Sequence, residues 1–510
     1  LSHSIPNHHY NKYKPLRNHV RQLSIELSLQ HIWHLSQHLL SDRSLFQDPS
    51  FKNFSPKFKT LKNHIYPWEL AITLREIILN SESNAKKGLN DIQILGKVIN
   101  GIRDYNDYIT SSNTSDIDSV LKTLHSITQL QFPWQKRSSL DSLIRYLKIF
   151  GTDTVDTVIY SQLGLSITEL ILIGLAARGH LMRYPGFNLK QSYSDFGIHP
   201  DKSEIFFERL TINIDSLKEK YKSHEAHTEH WSYTWNQLEQ TPFISLYESH
   251  HHLIYCPIPE LLFKRITSGL FYDIVGASNF DNAYGEAFEN YVGEVLNKVF
   301  SKPYHIHKPT PIMDGKNIKH RADWLVSAPL ASLLIECKTK RLRQNSKVDF
   351  DGDPLKEDIH TMAKYIVQTY KNLDVELSQV DTATNQPSLW FPIIVTLEEW
   401  FLFSPALQER LEDETRSLLQ INNLPESFLL DFPYTIMSIS ELEITGQVID
   451  KVGIQQFFER KCSPNYKNWD LRGFCNQQYK EEMNQITSVL FADEGEKLIN
   501  HFSSKLRQLD

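Results

Sequence analysis

The apolar residues of this chain recur with two different periods, and the change between them divides it. Over roughly the first 270 residues they fall at helical spacing, as in IELSLQHIWHLSQHLL from Ile25, PWELAITLREIIL from Pro67 and IQILGKVINGI from Ile92. Polar loops, such as residues 81–87 and 111–116, separate these stretches. A break is predicted around Phe132, Pro133 and Trp134, splitting the helical region into 1–131 and 132–270. Two segments, LGLSITELILIGLAARGHL and FGIHPDKSEIFFERL, are faintly alike without amounting to repeats. Ser166 and Glu169 make a capping-box pattern ahead of the most apolar run, residues 170–177. That run is too short to cross a bilayer, so a buried helix is expected and no membrane partner. CPIPELLFKRITSG, residues 256–269, reads as the connector to the second half of the chain.

Beyond residue 280 the pattern mixes. Phe288, Val292, Val295, Leu296 and Val299 predict an amphipathic helix over about 283–300, with Glu289 along the edge of its packed face and Glu286 one turn earlier as the alternative carboxylate. Leu333, Leu334 and Ile335 form a short apolar run that ends abruptly in charge, as a buried strand does when it delivers polar groups to a sheet edge. Residues 321–326 read as a second strand and 327–329 as a turn. A hairpin symmetric about Pro329 and Leu330 places Asp323 directly opposite Glu336, beta carbons roughly 5 Å apart. Alternation puts Glu336 and Lys338 on one face and Cys337 on the other. Ile359, Met362, Ala363, Ile366 and Val367 then predict a helix, residues 389–403 and 434–438 further strands, and 453 onward a return to helices.

Two facing carboxylates repel unless a cation sits between them. Mg²⁺ is typically held by one or two carboxylates, leaving positions for water and substrate phosphate. Such an ion lowers the pKa of bound water, and a neighbouring ammonium adds charge stabilisation. Asp323, Glu336 and Lys338 supply that set, with Glu289 as the fourth member.

The order Glu289 in GEAFE, Asp323 in RADWL, then Glu336 and Lys338 in IECK resembles the PD-(D/E)XK nuclease superfamily, whose fold is like that of restriction endonucleases. The resemblance covers roughly residues 282–443, about a third of the chain. Ala322 stands where the family often has Pro before the Asp. Some relatives carry a Gln and a Tyr on the helix after the lysine strand; Gln368 and Tyr370 lie on a suitable helix at imperfect spacing. The resemblance implies an α/β catalytic domain over 271–450, a mixed central sheet flanked by helices, between the large helical region and a helical tail over 451–510. It implies a Mg²⁺- or Mn²⁺-dependent endonuclease hydrolysing phosphodiesters, DNA favoured over RNA, with Asp323, Glu336 and Glu289 toward the metal and Lys338 toward the attacking water. The layout is similar to prokaryotic restriction or antiphage defence effectors, the helical region serving a partner protein, an oligomer or the substrate. Two other readings stand beside it: a catalytically silent nuclease-fold protein that binds nucleic acid or a partner, and a ribonuclease-type toxin.

Charge supports a phosphate partner locally only. The whole chain has 54 basic and 61 acidic residues, which argues against nonspecific coating of nucleic acid. Between Lys298 and Lys347, however, eleven Lys or Arg stand against three acids. From these, Lys319, Arg321, Lys340, Arg341 and Arg343, with Gln368, are the expected nucleic-acid contacts.

The remaining features change little. Length and 40% apolar content fit an ordinary globular protein of two to four domains. Cys256, Cys337, Cys462 and Cys475 show no zinc-type pairing and are too few for a disulfide scaffold, which with the lack of a secretory start suits a reducing cytoplasm. His224, His227 and His230 miss the HExxH pattern by one residue, and with His250, His251 and His252 are expected to be structural or solvated. Asp349, Asp351 and Asp353 around Gly352 have the glycine misplaced for a calcium loop. There is no GxxxxGK[ST], so an ATP-driven step would need a partner protein.

Overall fold

A computed structural model describes residues 7–40, 45, 49–51, 54, 61–111, 117–135, 139–246, 252–314, 317–319, 321–378, 389–402 and 404–497. The chain is mixed α/β and forms two compact units rather than four segments. One comprises 1–123, 130–278 and 493–510; the other comprises 124–129 and 279–492. The expected divide at 131/132 separates no unit, and the helix Ile117–Gln135 continues through Pro133. The C-terminal helices Ile454–Lys461 and Leu471–Gln478 belong to the second unit and do not form a separate tail.

The first unit is mainly helical. Ile25–Leu40, Pro67–Asn80 and Ile92–Ser111 are helices where the periodicity places them, and Leu29, Ile32, Leu74, Ile77, Val98 and Ile102 bury one continuous core. Ser166 caps Ile167–Leu181, its hydroxyl accepting from Glu169 N–H while the Glu169 carboxylate accepts from Ser166 N–H. The supposed connector is a buried helix, Pro259–Ile266. It packs on Ile167–Leu181 at Gly174, where a Cβ would lie 2.6 Å from the Ile266 side chain. Periodicity predicts no strands in this region, yet a four-stranded sheet joins Gly186–Asn188, Leu253–Tyr255, Phe243–Ser245 and Thr211–Asn213. Strands of three residues are too short to display a period of two. No single helix among the described residues is long and apolar enough to cross a membrane.

The second unit is built on helix α1 (Phe280–Val299), strands β1 (His305–His307), β2 (Trp324–Ser327) and β3 (Ala331–Lys338), helix α2 (Asp353–Ser378), β4 (Leu389–Thr396), helix α3 (Pro405–Ile421), β5 (Thr435–Ser438) and helix α4 (Ile439–Val452). The strands form one mixed sheet in the order β5-β4-β3-β2-β1. β3 runs antiparallel to β2 and parallel to β4, which is parallel to β5. The parallel pairing of β3 and β4 needs a crossover, and α2 provides it. Met362, Ala363, Ile366 and Val367 of α2 share a core with Leu325, Leu334 and Ile394 of the sheet. On the opposite parity, Trp324 meets α1 at Gly293, where a Cβ would lie 2.0 Å from the indole. The sheet is thus covered on both faces, which explains the unbroken burial from Ala331 to Glu336. Residues 124–129 complete the unit: His125, Ser126 and Gln129 bond the carbonyls of Ser346, Val348 and Trp400 at 2.8, 3.0 and 2.7 Å.

Candidate active site

The β2–β3 hairpin has the register expected from its symmetry. Trp324 pairs with Ile335, Leu325 with Leu334, Val326 with Leu333 and Ser327 with Ser332, and Ala328 N–H closes the turn on Ala331 O at 3.0 Å. The ladder ends at the Trp324–Ile335 pair: Asp323, just before β2, donates its N–H to Ile335 O at 3.1 Å, out of the ladder's register, so the expected direct pairing with Glu336 is not part of it. Asp323 Oδ2 accepts from Cys337 N–H at 2.7 Å, which fixes the carboxylate at the strand end. Its other oxygen has no hydrogen-bond donor among the described residues.

Glu336 is almost completely buried, at 1% exposure, and each of its oxygens is held. Oε1 accepts from Lys338 Nζ at 2.7 Å and from Gln368 Nε2 at 2.6 Å; Oε2 accepts from Asn372 Nδ2 at 3.0 Å. Gln368 and Asn372 are four residues apart on α2 and therefore share a face. Tyr365, one turn earlier, lays its ring 5.1 Å from the Lys338 ammonium. The helix thus positions both members of the β3 pair from above.

Burial pushes the Asp323 carboxyl up to about 7, reinforced by the Glu336 charge and, more weakly, by Glu289; Cys337 N–H and Lys338 oppose the shift. Glu336 is raised too, again chiefly by burial, against the pull of Lys338 and Asn372. Burial alone would lower the Lys338 pKa, but Glu336 and Asp323 together raise it, so its amine stays protonated at neutral pH.

Glu289 contributes its charge to this cluster from α1, but its Oε1 is bonded to Lys308 Nζ at 2.6 Å. The alternative, Glu286, is exposed on the same helix, and Glu289 is the α1 carboxylate among the leading influences on Asp323 and Glu336. Among the described residues, no three His, Cys, Asp or Glu side chains converge as a ready-made ion cage. Asp323 and Glu336 do fit a Mg²⁺-type ion, which needs only one or two carboxylates. Burial is the first cause of both raised pKa values, and Lys338 offsets it in part.

The expected phosphate contacts fare differently. Arg321 is turned to Glu376, its Nε 2.6 Å from Oε1, and also donates to Thr310 O at 3.4 Å. Arg341 is buried against Glu398 at 3.1 Å and Tyr284 at 3.2 Å. Arg343 bonds Glu357 at 2.6 Å and Asp358 at 3.1 Å, and Lys340 lies 3.7 Å from Asp358. The three arginines are each paired with acids that lie beyond residue 347, past the end of the basic stretch. The side chain of Lys319 lies outside the described residues, as do Lys316, His250 and His251. Gln368 is at the site, bonded to Glu336 rather than open for a nucleic acid, and Tyr370 is buried with its hydroxyl on Phe432 O at 3.0 Å. Asn372, Tyr365 and Lys308 carry no motif that would mark them as site residues. Asn372 was legible only as the residue one turn after Gln368, whereas Lys308 comes after a three-residue strand with no pattern to single it out.

The other candidates prove structural. His227 is buried against Tyr105 at 2.7 Å, and His224 bonds Lys220 O at 2.8 Å. Asp351 pairs with Arg410 and Asp353 with Lys356, at 3.0 and 2.9 Å. All four cysteines are free thiols. A cavity of about 510 Å³ opens at the C-terminal ends of β4 and β5, lined by Thr396, Trp400, Glu412, Tyr434 and Asp470 among others. None of Glu289, Asp323, Glu336 or Lys338 lines it, and its carboxylate-rich wall would repel a phosphate. No family model, curated protein or solved structure matches the chain.

Proposed function

We propose that the second unit is a metal-dependent nuclease of the PD-(D/E)XK type, an endonuclease cutting phosphodiesters of DNA in preference to RNA, in a restriction or antiphage role. The observation that carries this reading is the meeting of half-buried Asp323 and buried Glu336 at the end of one hairpin, with the Lys338 ammonium 2.7 Å from Glu336. A sheet of this kind, flanked by α1 and α2, agrees with a restriction-endonuclease-like core. The free oxygen of Asp323 and a Glu336 oxygen would hold Mg²⁺ or Mn²⁺, which when bound supplies Lewis acidity and a water of lowered pKa.

The chain's own residues do the rest. Gln368 and Asn372 fix the Glu336 carboxylate so that little reorganisation is needed when charge develops. Lys338, whose ammonium lies 2.7 Å from Glu336 Oε1, serves to stabilise charge and to orient the attacking water. Tyr365 restricts where its ammonium can point. With the arginines engaged internally, affinity for the phosphate backbone would rest on few contacts, giving a shallow salt dependence.

The test is incubation of the full chain with plasmid DNA and with RNA under Mg²⁺, Mn²⁺ or EDTA, beside Lys338→Ala. Metal-dependent cutting of DNA, lost in the variant, is expected. Loss of RNA alone would favour the ribonuclease reading. Tight binding with no cutting under either metal would overturn the enzyme in favour of a silent binder.

A further inference from the structure

Glu289 is the site's third carboxylate, yet it does not stand empty toward the other two. Its Oε1 is 2.6 Å from Lys308 Nζ, and the same ammonium is 3.1 Å from Asn290 Oδ1. The ammonium also lies 5.1 Å from the centre of the Trp324 ring, whose indole N–H donates to Glu289 O at 2.9 Å. Lys308 is thus held by two side chains of α1 and an aromatic face of β2. The lysine side chain remains 41% exposed, so the ammonium keeps an open side. An ammonium has three N–H donors, of which two are used here.

The charge count gives this arrangement a meaning. Three carboxylates, Glu289, Asp323 and Glu336, stand against two ammonium groups, Lys308 and Lys338. One divalent ion and one phosphodiester would bring that set to neutrality. A second divalent ion would leave two uncompensated positive charges in a partly buried site. If Lys308 were absent, Glu289 would be free to recruit that second ion.

We propose that Lys308 takes the place of a second divalent cation at Glu289, so that the centre binds a single metal ion and Lys308 presents the further positive charge to the substrate phosphate. This rests on the nuclease reading above. Glu289 is then a positioning residue for Lys308 and not a metal ligand.

The experiment is Mn²⁺ binding to the full chain, free Mn²⁺ being read by electron paramagnetic resonance, so the result does not depend on cleavage. The wild type should bind one ion per chain and Lys308→Met two. Lys308→Arg and the double variant Lys308→Met/Glu289→Gln should each return to one. Thermal unfolding of each variant separates a lost site from a lost fold, and the double variant keeps the comparison isosteric. Two ions in the wild type, or one in both wild type and Lys308→Met, would overturn the proposal while leaving the nuclease reading intact. No ion in the wild type would remove the metal-dependent reading and this inference with it.

Discussion

Asp323 and Glu336 each stand one residue beyond Trp324 and Ile335, the last pair of the β2–β3 hairpin, close enough that the Glu336 charge acts on Asp323. Among the described residues neither is compensated by an arginine; their nearest cation is the single Lys338. Asp323, at an ordinary 3.8 in the unfolded chain, is pushed up to about 7 in the fold, first by burial and then by Glu336. A raised folded value means that the folded state binds the proton more tightly. The associated stability is fully present below about pH 4 and lost as pH rises through 7. In EDTA, the melting temperature should therefore fall between about pH 5 and 7.5, and Asp323→Asn should flatten that slope. Protons also compete with the metal, so Mn²⁺ affinity should weaken by up to about tenfold per pH unit below 7. A calorimetric pH series with and without Mn²⁺ checks both. A melting temperature that rises over that interval in EDTA would contradict the burial argument.

Glu336 depends on α2. Replacing Asn372 with Leu removes the donor to Oε2 and leaves a buried carboxylate oxygen unsatisfied, at a cost of about 1–3 kcal/mol. Gln368→Leu should cost less, because Oε1 keeps Lys338. Both variants should weaken metal binding by about tenfold or more, as losses of outer supporting groups do. Urea titration and Mn²⁺ binding on the same samples would show it. Equal stability losses in the two would mean that water reaches Oε2 and that Asn372 is not its sole support.

Arg321 separates a structural from a phosphate-binding role. Glu376 is 6% exposed and its side-chain ion pair is with Arg321. Arg321→Ala should destabilise by about 3–5 kcal/mol because it strands a buried charge, whereas Arg321→Leu/Glu376→Leu should recover most of that. The slope of DNA affinity against salt should be unchanged in the double variant. A slope reduced by about one charge would restore Arg321 as a phosphate contact.

How much of this was readable in the sequence depends on how local each signal is. The hairpin register needed only Pro329 and Leu330 at the turn and a charge after Ile335. Helices α1 and α2 announced themselves through apolar spacing while α3 and α4 did not, and Ser166 with Glu169 marked a helix start by chemistry alone. The two-unit division was not legible, because it depends on which helices share a core, and Pro133 reads as a break although its helix continues to Gln135. The internal pairing of the basic patch was hidden for the same reason. Arg321, Arg341 and Arg343 form a cluster in sequence, but Glu376, Glu398, Glu357 and Asp358 meet them only in three dimensions. Lys308 and Asn372 became site residues through β1 and α2, whose placement no residue spacing dictates.

Gly293 carries the seating of α1 on the sheet. A Cβ there would lie 2.0 Å from the Trp324 ring, too close for any rotamer of a packed indole to accommodate without moving. Elsewhere in a helix, Gly→Ala stabilises by about 1 kcal/mol. At Gly293 that gain should be outweighed by overpacking, which costs about 1–3 kcal/mol. Gly285 is on the same helix with nothing within 4 Å of its Cβ position and serves as the control. Gly285→Ala should be neutral to stabilising, and Gly293→Ala destabilising. The displaced Trp324 would also lose its bond to Glu289 O and its place beside Lys308, so Gly293→Ala should alter the Mn²⁺ stoichiometry in the direction of Lys308→Met. Chemical denaturation of the two variants decides it: if Gly293→Ala matches Gly285→Ala, the helix does not press against Trp324 in solution, and the pairing of Lys308 with Glu289 loses its support.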